Sequence, residues 1–335
     1  MREKALQALL KSLMAAGPHF NLNFKTKIFM NARNFTFSPA DWFWLIFLSV
    51  LWGASFFFTK AALSEWHVLW VVGARLFFAM LTMLLVISIM KIKIPLDIRS
   101  LKVYAVLGLI NNFLPFLLFT SAQLFINSGL TAVVNALTPL FVILLATLFR
   151  LEDQMTFNKF FAVLLGFTGV VIMMLPALDG TTASIKLALG VLIATAGALF
   201  YGFSSLYARH HKGINPMAMA TGMICFSALY ANSFALAFVP FPLFIPKITT
   251  LASLLAIGIL STAAAYMIFY HLLARVGAAN TASVTFLIPI TAILLGSLVY
   301  HERFEISTML GVIFIFAALA FLDTRWMKIL KPRTK

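Results

Sequence analysis

Ten apolar windows, each long enough to cross a bilayer as a helix, occupy most of the chain and leave little room for any other architecture. They lie near 41–63, 67–90, 102–123, 130–149, 157–176, 186–208, 216–240, 250–272, 279–300 and 306–324. A helix needs about 20 residues to span the hydrocarbon, and these runs are continuous. Strands of a membrane barrel would instead alternate in polarity over about ten residues. Connections are short: Asn127-Ser128-Gly129 closes the third and fourth spans and Val276-Gly277-Ala278 the eighth and ninth, so each pair forms an antiparallel hairpin. Composition demands the same solvent. Apolar residues make up 62% of the chain and charged residues 10%, against about 45–50% and about 25% in soluble domains. Surface that apolar must face lipid, so the expected fold is an all-α integral membrane protein.

The windows are duplicated. Residues 108–152 and 258–302 align without a gap at an offset of 150, with 12 identities in 45 positions. Leu and Ile coincide cheaply in apolar chains, but the ordered matches Thr131/Thr281, Ala132/Ala282, Pro139/Pro289 and Glu152/Glu302 do not. Upstream the offset becomes 149, and Lys60 then faces Arg209. Five spans per copy is an odd number, so the second copy enters the membrane from the opposite side. The expectation is ten transmembrane helices as two inverted five-helix repeats, an arrangement many secondary transporters use for alternating access. The chain divides accordingly into a basic extension (1–40), a first repeat (41–176), a second repeat (186–324) and a basic tail (325–335).

Charge gives the orientation. With the N-terminus cytoplasmic, 20 Lys and Arg residues fall in inner segments and three, Lys186, Lys247 and Arg303, in outer ones. The net charge of +15 is therefore a topology signal, and both termini are expected in the cytoplasm of a cell whose inner membrane holds the protein. Scattered over loops, these charges do not form a nucleic-acid surface. Residues 2–16 either form a short amphipathic surface helix or belong to a basic leader; Gly17-Pro18 ends any helix there. No cleavage site marks a signal peptide.

At this point the residues resemble a known family. Leu51-Trp52-Gly53-Ala54-Ser55 followed by Lys60 looks like the opening of the EamA domain of the drug/metabolite transporter superfamily. Arg75 within Gly73-Ala74-Arg75-Leu76 fits the same pattern, as does a Pro-containing helix closed by Glu in each half (Pro139 with Glu152, Pro289 with Glu302). The resemblance covers residues 41 to 324 and implies two EamA-like copies. The second half lacks an Arg at 217–224, so any role of Arg75 is asymmetric, and the first 40 residues exceed the family's usual length.

All ten Asp and Glu residues fall in tails, loops or span ends. Coupling through a carboxylate buried mid-membrane, and export of lipophilic cations by such a group, are therefore disfavoured. Basic residues point the other way. Arg75 either clamps helices through backbone carbonyls or Glu65, or faces a cavity, where a guanidinium favours a carboxylate or phosphate. Lys60, near its span end, carries the same two readings.

Candidate substrate contacts are Trp52, Arg75, Asn111, Asn135, Tyr201, Tyr266, Tyr270 and Thr285, polar or aromatic groups on inner spans. Taken singly, such residues usually bridge helices. Pro139 and Pro289 hold matching places in the two halves and are candidate hinges, because each frees a carbonyl one turn back. No phosphate loop, metal set or nucleophile–base pair is present, so neither catalytic nor metal residues are assigned, no cofactor is implied, and the chain reads as a non-enzyme. The lone Cys225 excludes an internal disulfide.

The function expected is secondary transport of a small metabolite, with amino acids or related compounds and the export direction implied by the resemblance. Import of a nucleotide-like or sulfonium compound is the alternative within the fold. A lipid-linked flippase or a non-transporting membrane protein is the alternative outside it. Expected partners are the small-molecule substrate, the lipid bilayer and a second copy of the chain as homodimer, with no nucleic acid.

Overall fold

Short polar caps punctuate the apolar runs, and they set where each helix starts. The computed structural model describes residues 38–322 apart from 152–154, 212 and 303. The basic extension, the tail and Glu152 thus lie largely or wholly outside the described residues. Helix α1 is Pro39–Ala62, α2 Val68–Ile89, α3 Ile98–Ala122, α4 Ser128–Leu148 and α5 Phe157–Met174. Helix α6 is Thr182–His210, α7 Pro216–Phe238, α8 Ile248–Gly277, α9 Val284–Tyr300 and α10 Ile306–Leu322. Eight of these elements are long and apolar enough to cross a membrane, and α9 and α10 are apolar helices of 17 residues each. Among the described residues there is no strand.

Ser38 and Asp41 form a reciprocal capping box on α1, with Pro39 in the first turn, where its missing N–H costs nothing. Asp97, Asn127, Thr156, Thr181 and Asn215 cap α3, α4, α5, α6 and α7 through their side chains. Asp41 does a second job: Arg275, at the end of α8, donates to it through Nε at 2.7 Å and ties that end to the start of α1.

Two helices depart from α geometry in the middle. Helix α3 is π-helical over Gly108–Phe113 and α8 over Ala256–Ala264. Such segments are uncommon and concentrate at functional sites. Helix α4 is broken between Asn135 and Thr138, immediately before Pro139, whereas Pro289 lies buried inside α9. The two matched prolines therefore sit differently: one opens a helical segment, the other interrupts a hydrogen-bond ladder.

Packing partners recur in corresponding pairs. Helix α1 packs on α9 and α8, and α6 packs on α4 and α3; α2 meets α8, and α7 meets α3. The α2–α8 and α3–α7 crossings are made alike. A methyl group on Gly108 would lie 2.7 Å from the Met223 carbonyl, 2.9 Å from Phe226 Cβ and 3.2 Å from Ser227 N. One on Gly258 would meet the same three atom types of Arg75 (2.9 Å), Phe78 (2.6 Å) and Ala79 (3.3 Å). Both glycines are there for close approach. Large apolar side chains such as Phe43, Leu85, Phe160, Leu294 and Ile313 point outward, as a lipid-facing surface requires.

Candidate functional site

The π-helical segments bring the amides of α3 and a hydroxyl of α8 to the middle of the bundle. Tyr266 Oη donates to Asn112 Oδ1 at 2.8 Å and accepts from Asn111 Nδ2 at 3.0 Å. Ser204 Oγ donates to Asn111 Oδ1 at 2.7 Å, and Asn112 Nδ2 donates to Ser227 Oγ at 3.1 Å. One connected network thus joins α3, α6, α7 and α8, and Asn112 is wholly buried in it. Inside lipid an unpaired amide would be costly, so a network of this kind fixes how these four helices meet.

Arg75 lies beside that network and is 8% exposed. Its Nε donates to Thr262 Oγ1 at 3.0 Å, and its Cζ sits 3.6 Å from the centre of the Phe116 ring. Thr262 donates in turn to the Ile257 carbonyl at 2.7 Å, which leaves its oxygen free to accept from the arginine. Glu65 is not the partner of Arg75. That carboxylate binds Lys247, through the backbone N at 2.9 Å and Nζ at 3.4 Å. Among the described residues no carboxylate pairs with Arg75. An arginine at a helix centre costs about 2.5–3.5 kcal/mol on insertion scales. One charge-assisted hydrogen bond contributes about 1.5–3 kcal/mol. A desolvated cation–π contact adds about 2 kcal/mol. The neutral neighbours are thus enough to hold the charge without a counter-ion.

Aromatic rings extend the site. Tyr266 and Tyr270 stack at 6.1 Å, Phe269 meets Tyr270 at 5.4 Å, and Trp52 meets Phe269 at 5.5 Å. Tyr201 stacks on Phe119 at 5.6 Å and packs against the cluster of Val72, Leu76 and Phe116 that flanks Arg75. Of the eight expected residues, the structure joins Asn111, Tyr266 and Tyr270 directly; Arg75 reaches α8 at Thr262, four residues before Tyr266, and Tyr201 and Trp52 stand at the border. Asn135 and Thr285 are not joined to this network. Asn135 Oδ1 is buried without a hydrogen-bond partner at the break in α4, and the Thr285 hydroxyl donates to the Ala282 carbonyl in the turn before α9. Thr262, Phe116 and Ser227 are neighbours of the candidate site that side-chain type alone does not pick out. The 150-residue register does mark two of them: Thr262 corresponds to Asn112, and Phe116 to Tyr266.

Toward one end of the bundle Lys60 Nζ donates to Glu302 Oε1 at 2.7 Å, with Glu302 3% exposed. Glu302 also accepts from Ser128 N (2.9 Å), Ser128 Oγ (2.8 Å) and Gly129 N (3.2 Å), capping α4 from outside. Burial pushes this carboxyl up, but the donors of Lys60, Ser128 and Gly129 outweigh it and hold the group below its ordinary range. At the end of α6, His210 and His211 engage the backbone carbonyls of Leu206 and Tyr207, and among the described residues no group of three or more His, Cys, Asp or Glu could hold a metal.

A bundle of apolar helices that gathers an arginine, paired amides and tyrosines at its centre is a multi-pass membrane protein. The family model of the EamA-like transporter family matches residues 41–175 and 188–323, so the chain belongs to that family and carries its domain twice. The uncharacterized transporter YoaV of Bacillus subtilis (strain 168) is 23% identical over 281 residues, covering 84% of this chain and 95% of that protein. The uncharacterized transporter YvbV of the same organism is 26% identical over 290 residues, covering 84% and 90%. A solved crystal structure at 15% identity superposes with a TM-score of 0.60 over 86% of this chain and 98% of its own, a likeness of fold alone.

Proposed function

We propose that the protein is a ten-span secondary transporter of the cell inner membrane, built from two inverted five-helix repeats with both termini cytoplasmic. It moves a small metabolite, an amino acid or related compound, by alternating access, with export as the direction. The observation that carries this reading is the polar network at mid-bundle, where Asn111, Asn112 and Tyr266 lie near the guanidinium of Arg75, which no carboxylate among the described residues pairs with. Inversion is supported by the corresponding contacts of Gly108 and Gly258, which let each half reproduce the other's crossing. Pro139 and Pro289 are the proposed bending points. The chain performs no covalent chemistry on its cargo in this reading. The test is flux of a metabolite panel in proteoliposomes holding the full chain, with and without a pH gradient. Saturable flux of at least one compound, lost when Tyr266 and Asn111 are both replaced by apolar residues, is expected. Flux no greater than in empty vesicles across the whole panel refutes the transport reading.

A further inference from the structure

The charge of the site is unbalanced, and that imbalance selects the cargo. Every Asp and Glu of the chain lies in a tail, loop or span end, and among the described residues no carboxylate pairs with Arg75. Its known partners are a hydroxyl, Thr262 Oγ1, and an aromatic face, Phe116, and the Nε bond to Thr262 leaves the two terminal nitrogens without a protein acceptor among the described residues. Those nitrogens form the half of the fork that grips a carboxylate in two parallel bonds. The rest of the site is neutral. Asn111 and Asn112 are bound to Tyr266, Ser204 and Ser227, and Tyr270 and Tyr201 add uncharged rings stacked on Tyr266 and Phe119.

We propose that Arg75 binds the carboxylate of a monoanionic substrate whose body is apolar or aromatic and carries no ammonium group. The inference rests on the transport reading above and narrows its cargo to the related compounds: a free amino acid, whose ammonium is charged at neutral pH, is excluded. A zwitterion would place its ammonium near the guanidinium with no carboxylate to receive it. At an effective dielectric of about 20, two like charges about 6 Å apart weaken binding about 100-fold. The ring faces of the tyrosines attract cations only modestly and do not offset that repulsion. A substrate carboxylate would add a charge-assisted pair to the hydroxyl and ring contacts that already hold the guanidinium.

The experiment uses the full chain and two series that keep the body and change the charge: 3-phenylpropionate, phenylalanine and phenethylamine; and butyrate, 2-aminobutyrate and butylamine. Binding is read by thermal stabilisation and tryptophan fluorescence in detergent, and flux by counterflow in proteoliposomes. The anion of at least one series is expected to bind at least ten-fold tighter than its zwitterion and cation. Arg75→Gln is expected to lower that affinity about 100-fold, and Arg75→Lys to keep part of it, since the point charge survives and the fork does not. Should Arg75→Gln fail to fold, the charge preference of the unaltered protein remains the test. Tighter binding of a zwitterion or cation, no binding in either series, or anion affinity unchanged in Arg75→Gln overturns the proposal. Saturable counterflow of a zwitterion or cation overturns the anion site and leaves the transporter standing. Anion binding without counterflow of any compound does the reverse.

Discussion

Replacing Glu302 by Ala removes the acceptor for four donors at once: Lys60 Nζ, Ser128 N, Ser128 Oγ and Gly129 N, all at 2.7–3.2 Å. Hydrogen bonds to a charged group contribute about 1.5–3 kcal/mol each, but these share one carboxylate and do not add. Breaking a buried ion pair costs about 3–5 kcal/mol, and we take that range for Glu302→Ala. Lys60 is 33% exposed, so water screens its charge, and Lys60→Met leaves three donors in place. Its expected cost is about 1 kcal/mol. At about 2 °C per kcal/mol for a large domain, Tm should fall by roughly 6–10 °C for Glu302→Ala and about 2 °C for Lys60→Met. The measurement is thermal unfolding of purified protein in one detergent, run as a double-mutant cycle. Equal losses for the two single variants, or a Glu302→Ala shift below about 2 °C, would refute the view that Glu302 holds α4 through its backbone.

Glu302 also dictates a pH response. Its native carboxyl lies below the ordinary value of 4.5, so its stabilisation is complete above that value and disappears as pH falls through the lower native one. Tm of the wild type should therefore lose this contribution only in acid below 4.5, and Glu302→Gln should lack that component while retaining substantial exchange at neutral pH. Gly108→Val and Gly258→Val should each lower Tm by an amount corresponding to about 1–3 kcal/mol or more, because a Cβ there meets backbone at 2.7–2.9 Å. Unchanged Tm in both would show that the two crossings are looser than the structure has them. Single-cysteine labelling in whole cells should place residues 2 and 335 on one side and residues near Asp179 and Lys247 on the other; opposite accessibility of the two termini would remove the inverted-repeat proposal.

Much of this protein is legible without coordinates. Apolar run length and the scarcity of charge dictate a helical membrane bundle, because only helices satisfy their own backbone in a continuous apolar stretch. The ordered Thr-Ala, Pro and Glu matches reveal the duplication, and the absence of mid-span acids follows from counting residues. What residue order does not fix is which polar side chains meet. Asn111 and Tyr266 are separated by 155 residues and Arg75 and Thr262 by 187, and both meetings depend on how α2, α3, α7 and α8 cross. Those crossings depend on two glycines and on π-helical segments that shift the register of α3 and α8, a shift no 3.6-residue periodicity foretells. The same holds for Lys60, whose partner Glu302 is fixed by the way α1 packs on α9. Sequence thus determined the solvent, the elements and their repetition through local chemistry. Tertiary packing alone decided that Arg75 would meet the Thr262 hydroxyl and the Phe116 ring rather than Glu65, because that choice depends on how α2 packs against α3 of its own half and α8 of the other.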